Sequence, residues 1–140
     1  MKPIDFKEWT EVHKEYVYLG LVAYANELKE HPIVSEKSPM IVWRKLFTGE
    51  LRAAIIDGYL LVYDFGASWC SEENILYELL LRRVMPGGSF PELTSGMHDL
   101  AKEHGCVGIM TGNGVLRPGL ERQYLRRGFS KINEAYYKEV

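Results

Sequence analysis

The pair Asp57-Gly58, set between the apolar runs "LRAAII" and "YLLVYDF", constrains this 140-residue chain more than any other feature. A two-residue connection between strands needs positive φ at both central positions, which Asp followed by Gly adopts readily. An antiparallel hairpin over residues 51–65 is therefore expected. A further run, "ILYELLLRRV", has strand length and few polar residues, as a strand in the middle of a sheet requires. A largely antiparallel sheet becomes the frame on which the rest of the chain is placed.

Helices are read around that frame. "DFKEWTEVHKEYVYLGLVAYANELKE" repeats Phe6, Trp9, Val12, Tyr16, Leu19 and Ala23 at three- and four-residue spacing, with Leu28 five further on. That spacing predicts one long amphipathic helix, with Asp5 and Glu8 placed as a capping pair. Pro32 and Pro39 bracket a connecting loop, and "MIVWRKLF" reads as a strand. Ser89 and Glu92 have capping-box spacing, so a helix should run from there to about His104 and stop at Gly105. "CVGIMTG" is a short strand, "LERQYLRRGF" a short helix and "SKINEAYYKEV" a closing strand. Gly128 suits the left-handed position past that last helix, and Arg126 and Arg127 suit its negative end. The order describes an α+β (mixed α/β) fold, and no linker, repeat or low-complexity segment divides residues 1–140, so one domain is expected.

The bulk values narrow the function classes. A net charge of −2 gives no general reason to expect nucleic acid or a membrane surface as partner, although Arg117, Arg122, Arg126 and Arg127 cluster late in the chain. Two cysteines, Cys70 and Cys106, lie far apart, which fits a reducing compartment better than a disulfide scaffold. The charged N-terminal stretch does not read as a signal peptide, and no apolar run reaches spanning length. Cytoplasmic location is the default expectation. His98, His104 and Cys106 lack metal-ligand spacing, so no metal is expected.

Three places carry chemistry. Gly87-Gly88-Ser89 lies between a strand and a helix start, where free amides and the helix dipole suit a phosphate; a plain chain reversal is the other reading. Glu78 sits among apolar residues, where partial burial would raise its pKa and make it a general base. Alternatively it is an exposed carboxylate paired with Arg82 or Arg83. Tyr124 is a candidate general acid or a core tyrosine. Trp69, in the loop "GASWCSEEN", either lines a substrate cleft or covers the core.

Taken together, "YELLLRRVMPGGSFPEL", "CVGIMTG", "RQYLRRGF" and "INEAYYKEV" resemble the GCN5-related N-acetyltransferase (GNAT) superfamily. The resemblance spans roughly residues 40–140 and is most specific at Tyr124-x-x-x-Gly128-Phe129. It extends to small acetyltransferase-like proteins encoded by tailed bacteriophages, which would place the chain in a host cytoplasm. The resemblance implies acetyl-coenzyme A as co-substrate, its pyrophosphate held around Arg83, Val84, Gly87, Gly88, Ser89 and Phe90. It implies Tyr124 as general acid, Glu78 as general base and Trp69 against the substrate, with direct attack by a small-molecule amine or a protein amino group. A homodimer is a further expectation. The competing expectation is a catalytically degenerate protein of the same fold that binds a host or virion partner.

Overall fold

The computed structural model describes residues 2–30, 39–67, 71–113, 117–138 and 140. In chain order these form β1 (Ile4–Asp5), a 3₁₀ turn (Phe6–Glu8), α1 (Glu11–Glu27), a second 3₁₀ turn (Leu28–Glu30) and α2 (Pro39–Phe47). There follow β2 (Arg52–Ile56), β3 (Tyr59–Ala67), β4 (Asn74–Arg83), α3 (Phe90–Glu103), β5 (Gly108–Met110) and α4 (Leu120–Arg126). The sheet runs β1-β2-β3-β4-β5, antiparallel up to β4, with β5 parallel to β4. The hairpin closes as expected, with Ile56 opposite Tyr59, φ 48° at Asp57 and φ 84° at Gly58.

Alternation along the strands sorts the core into two layers. Ala53, Ile55, Leu60, Val62 and Leu80 pack on Val17 and Leu21 of α1 and Leu46 of α2. Ala54, Ile56, Leu61, Tyr63 and Leu76 face the other way, onto Leu93, Met97, Leu100 and Ala101 of α3. With helices on both faces, the central strands need apolar residues at nearly every position, which is why they read as continuous runs. None of the described helices is long and apolar enough to cross a membrane.

Three sequence expectations give way to tertiary contacts. "MIVWRKLF" is α2, not a strand: Val42 and Leu46, four apart, both turn toward the sheet, and Trp43 meets the rings of Tyr18 and Phe47 at 5.6 and 5.2 Å. The N-terminal helix starts at Glu11, not Asp5. Ile4 and Asp5 pair with Ile55 and Ala54, and the buried Trp9 indole donates to Ile4 O at 2.9 Å, so the chain turns before it coils. Thr10 then caps α1 together with His13. The closing strand does not form among the described residues. Lys131 is drawn to Glu121 and Glu134, Tyr136 donates to Glu134, and Ile132 and Tyr136 stay 70% and 90% exposed.

Candidate active site

The site begins where two strands part. β5 pairs with β4 only from Ile75–Gly108 to Tyr77–Met110, while β4 continues to Arg83. Just past the last pair, β4 takes an extra residue against β3: Tyr63 opposes Glu78 and Val62 opposes Leu80, so Leu79 is bulged out. A bulge bends its strand and re-aims the side chains beside it. The result is a wedge open toward residues 111–113, with Glu78 at its apex.

Glu78 and Tyr124, both expected from sequence, are joined there by a residue that was not. Thr111 Oγ1 donates to Glu78 Oε1 at 3.3 Å and lies 2.8 Å from Tyr124 Oη. With its one proton on Glu78, the Thr111 hydroxyl accepts from the phenol, giving a directional chain Tyr124 → Thr111 → Glu78. Burial pushes the Glu78 carboxyl up to about 7, against the hydrogen bonds from Thr111 and the Gly112 backbone that favour its charged form. Burial also lifts the Tyr124 phenol to about 12, with the Thr111 hydrogen bond pulling it down and Glu78 pushing it further up. Near neutral pH the site therefore holds a carboxyl able to take or release a proton and a protonated phenol. Tyr124 is 7% exposed, its ring set edge-on to Phe90 at 5.3 Å and Phe129 at 5.2 Å. Gly128, with φ 87°, ends the helix that presents it, as the sequence indicated.

The bend after β4 is partly occupied from within. Val84 N and Met85 N both donate to Gly58 O, and Pro86 has no N–H. Ser89 N donates to the Asp57 carboxylate at 2.8 Å, while its hydroxyl caps α3 by accepting from Glu92 N. Arg83 Nη2 donates to Tyr59 Oη at 2.7 Å and Gly88 O at 3.2 Å. Gly88 is required by packing, since a Cβ there would run into the carbonyl oxygen of Asp57, whereas Gly87 has open space around it. Among the described residues, the amides of Gly87, Gly88 and Phe90 form no hydrogen bond. These three amides stand at the positive end of α3, with the Asp57 carboxylate beside them.

Two hollows meet at the wedge. The larger, about 1610 Å³, starts at Pro91 in the first turn of α3 and runs past Ile109 and Leu125. The smaller, about 320 Å³, is bounded by Tyr24 of α1, Glu78, Arg117 and Leu120. They share residues 110–113 and Tyr124, so the hydroxyl chain stands between them. Trp69 lies outside the described residues. No group of His, Cys, Asp or Glu able to hold a metal occurs among the described residues. Thr111, Asn113, Arg117, Glu27 and Asp57 are the site residues that sequence reasoning missed; only the Asx-turn chemistry of Asn113 offered a local signal.

No protein-family model and no curated protein matches the sequence. Solved structures do match. A protein from Pyrococcus furiosus assigned as an acetyl transferase superposes at TM-score 0.63 with 16% identity, over 99% of this chain and 99% of its own. YycN from Bacillus subtilis, assigned as an acetyltransferase, superposes at 0.60 with 13% identity, over 99% and 97%. An aminoglycoside acetyltransferase from an uncultured soil metagenomic sample, solved with sisomicin, superposes at 0.53 with 14% identity, over 93% and 91%. At these identities the likeness establishes the fold, which is that of the GNAT acetyltransferases.

Proposed function

We propose that this chain, built on the GNAT fold, is an N-acetyltransferase that moves an acetyl group from acetyl-coenzyme A to a primary amine. The observation that supports it is the Glu78–Thr111–Tyr124 hydrogen-bond chain at the point where β4 and β5 separate. Acetyl-coenzyme A supplies an acyl group activated as a thioester. The amides of Gly87, Gly88 and Phe90 hold its pyrophosphate, and the larger hollow accepts its arm. The acceptor ammonium first releases one proton to solvent, and ionised Glu78 then takes a second from the amine nitrogen as it attacks. The amine nitrogen bonds to the carbonyl carbon as the carbon–sulfur bond breaks, and Tyr124 gives its proton to the departing sulfur. The Thr111 hydroxyl then passes the proton held by Glu78 to the Tyr124 oxygen, restoring both groups. One proton thus travels from amine to thiol, with no covalent enzyme intermediate.

The direct test is acetyl-coenzyme A at millimolar concentration. It should raise the melting temperature, about 2.7 kcal/mol of stabilisation at a hundredfold excess over Kd, and shift the amide resonances of Gly87, Gly88 and Phe90. Free thiol should then appear in the presence of an amine panel. Absence of both effects would turn the assignment to the second reading, a binding protein with the same fold. That reading is favoured by the Asp57 carboxylate lodged at Ser89 and by the exposed Val12, Leu19 and Phe47 of α1 and α2.

Thr111 is tested separately. Thr111→Val keeps the shape but removes both hydrogen bonds, and should lower kcat about 10- to 100-fold. The Thr111 hydrogen bond lowers the Glu78 pKa, so the rising limb of the pH–rate profile should also move upward in the variant. Thr111→Ser should restore rate and profile together. An unchanged pH limb in the valine variant would reduce Thr111 to packing.

A further inference from the structure

The smaller hollow carries a charge pattern that narrows the acceptor. Arg82 Nη1 lies 2.7 Å from Glu27 Oε1, and Arg117 Nη2 lies 2.9 Å from Glu27 Oε2. One carboxylate is thus shared by two guanidiniums, which leaves one positive charge uncompensated among the described partners. At Arg82, Nε and Nη1 are buried and make no hydrogen bond; the Nη1 contact with Glu27 is an ion pair without hydrogen-bond alignment. Arg117 is half-exposed and lines the hollow directly. Its main chain is pinned by Asn113, which accepts from Arg117 N at 2.7 Å and donates to Arg117 O at 2.9 Å. With its backbone held and its Nη2 tied to Glu27, Arg117 keeps further guanidinium donors without a described partner, to which a carboxylate can bind.

The opposite charge sits in the same wall. Glu78 lines the hollow, and the Tyr24 phenol feels both poles: burial raises its pKa first, Glu78 and Glu27 raise it further, and Arg117 and Arg82 lower it. The hollow therefore offers an anion for an ammonium and a cation for an anion. Its volume of about 320 Å³ is at the small end for ligand sites and suits an amino-acid-sized molecule. A polycationic acceptor would set its further charges against Arg82 and Arg117.

Resting on the acetyl-transfer reading, we propose that the acceptor is an amino-acid-sized zwitterion whose carboxylate is bound by Arg117 while its amine faces Glu78. The same positive charge has a second conceivable claimant, a phosphate of the coenzyme. Position argues against it: Glu27 belongs to α1, which packs on the sheet face opposite α3, whereas the free amides and the larger hollow lie with α3.

Equilibrium binding to the full chain tests the proposal without needing turnover, so it stays readable if acetyl transfer itself fails. The probes are N-acetylglycine, N-acetylalanine, N-acetylleucine and Nα-acetyllysine, each beside its carboxamide, with spermidine as the polycation. At least one acid should bind about tenfold tighter than its amide. Arg117→Gln should bring that pair within about twofold, and Arg117→Lys should retain part of the difference, since it keeps the charge but not the fork. The proposal is overturned if no acid outbinds its amide or if spermidine binds as tightly as the best acid. It is equally overturned if Arg117→Gln weakens coenzyme A alone as much as it weakens the acid, which would assign the charge to phosphate.

Discussion

Replacing Glu78 by Gln is expected to lower kcat/KM by about 10²- to 10⁴-fold while making the folded protein more stable at alkaline pH. The two effects share one cause, the burial that raises this carboxyl from 4.5 to about 7. Between those values the folded chain keeps a proton that the unfolded chain has released. The stability tied to it is fully present below 4.5 and is lost as pH rises through 7, an amount of about 3 kcal/mol from the size of the shift. Gln has nothing to titrate. At pH 8 the variant should therefore melt several degrees above the wild type, and at pH 4 the two should be close. The wild-type rate should climb through pH 7 to a plateau, and that limb should vanish in the variant. A variant that keeps both rate and limb would remove Glu78 from the chemistry.

The second large effect is expected from Tyr124→Phe, which should cut kcat about 10²- to 10³-fold and leave the Kd for acetyl-coenzyme A within about twofold. Only the hydroxyl is lost, because the ring remains set against Phe90 and Phe129. A phenol at about 12 is a weaker acid than a thiol, near 8.5, so its proton leaves readily only when another arrives through Thr111. The two residues should therefore act as a unit. Glu78→Gln combined with Tyr124→Phe should be scarcely slower than the slower single variant. Multiplicative losses would mean that the two protons move independently, and equal rates for Tyr124→Phe would make the phenol a packing group.

Much of this fold was legible because its signals are local. The Asp57-Gly58 turn, the Ser89 cap and the Gly128 terminus each depend on backbone preferences of one or two residues, and all three stand where they were read. "MIVWRKLF" was misread because an apolar run of that length fits both a strand and a helix, and only the docking of Val42 and Leu46 on the sheet decides between them. The late start of α1 has a similar origin, in the pairing of Ile4 with Ile55 across the chain.

The candidate site divides along the same line. Residue type and neighbourhood alone marked Glu78, a carboxylate amid apolar residues, and Tyr124, four before a Gly-Phe pair. Nothing in the chain marked Thr111 as the link between them, since it lies 33 residues from one and 13 from the other. Nor did it mark Arg117 as sharing Glu27 with Arg82, a contact across 90 residues. The linear order of side chains determined which groups this protein owns and where its backbone must turn, because those follow from short-range sterics and hydrogen bonding. Which groups lie within reach of one proton, and which charge is left over beside them, was decided only by packing, because proximity and burial arise when distant segments exclude water together.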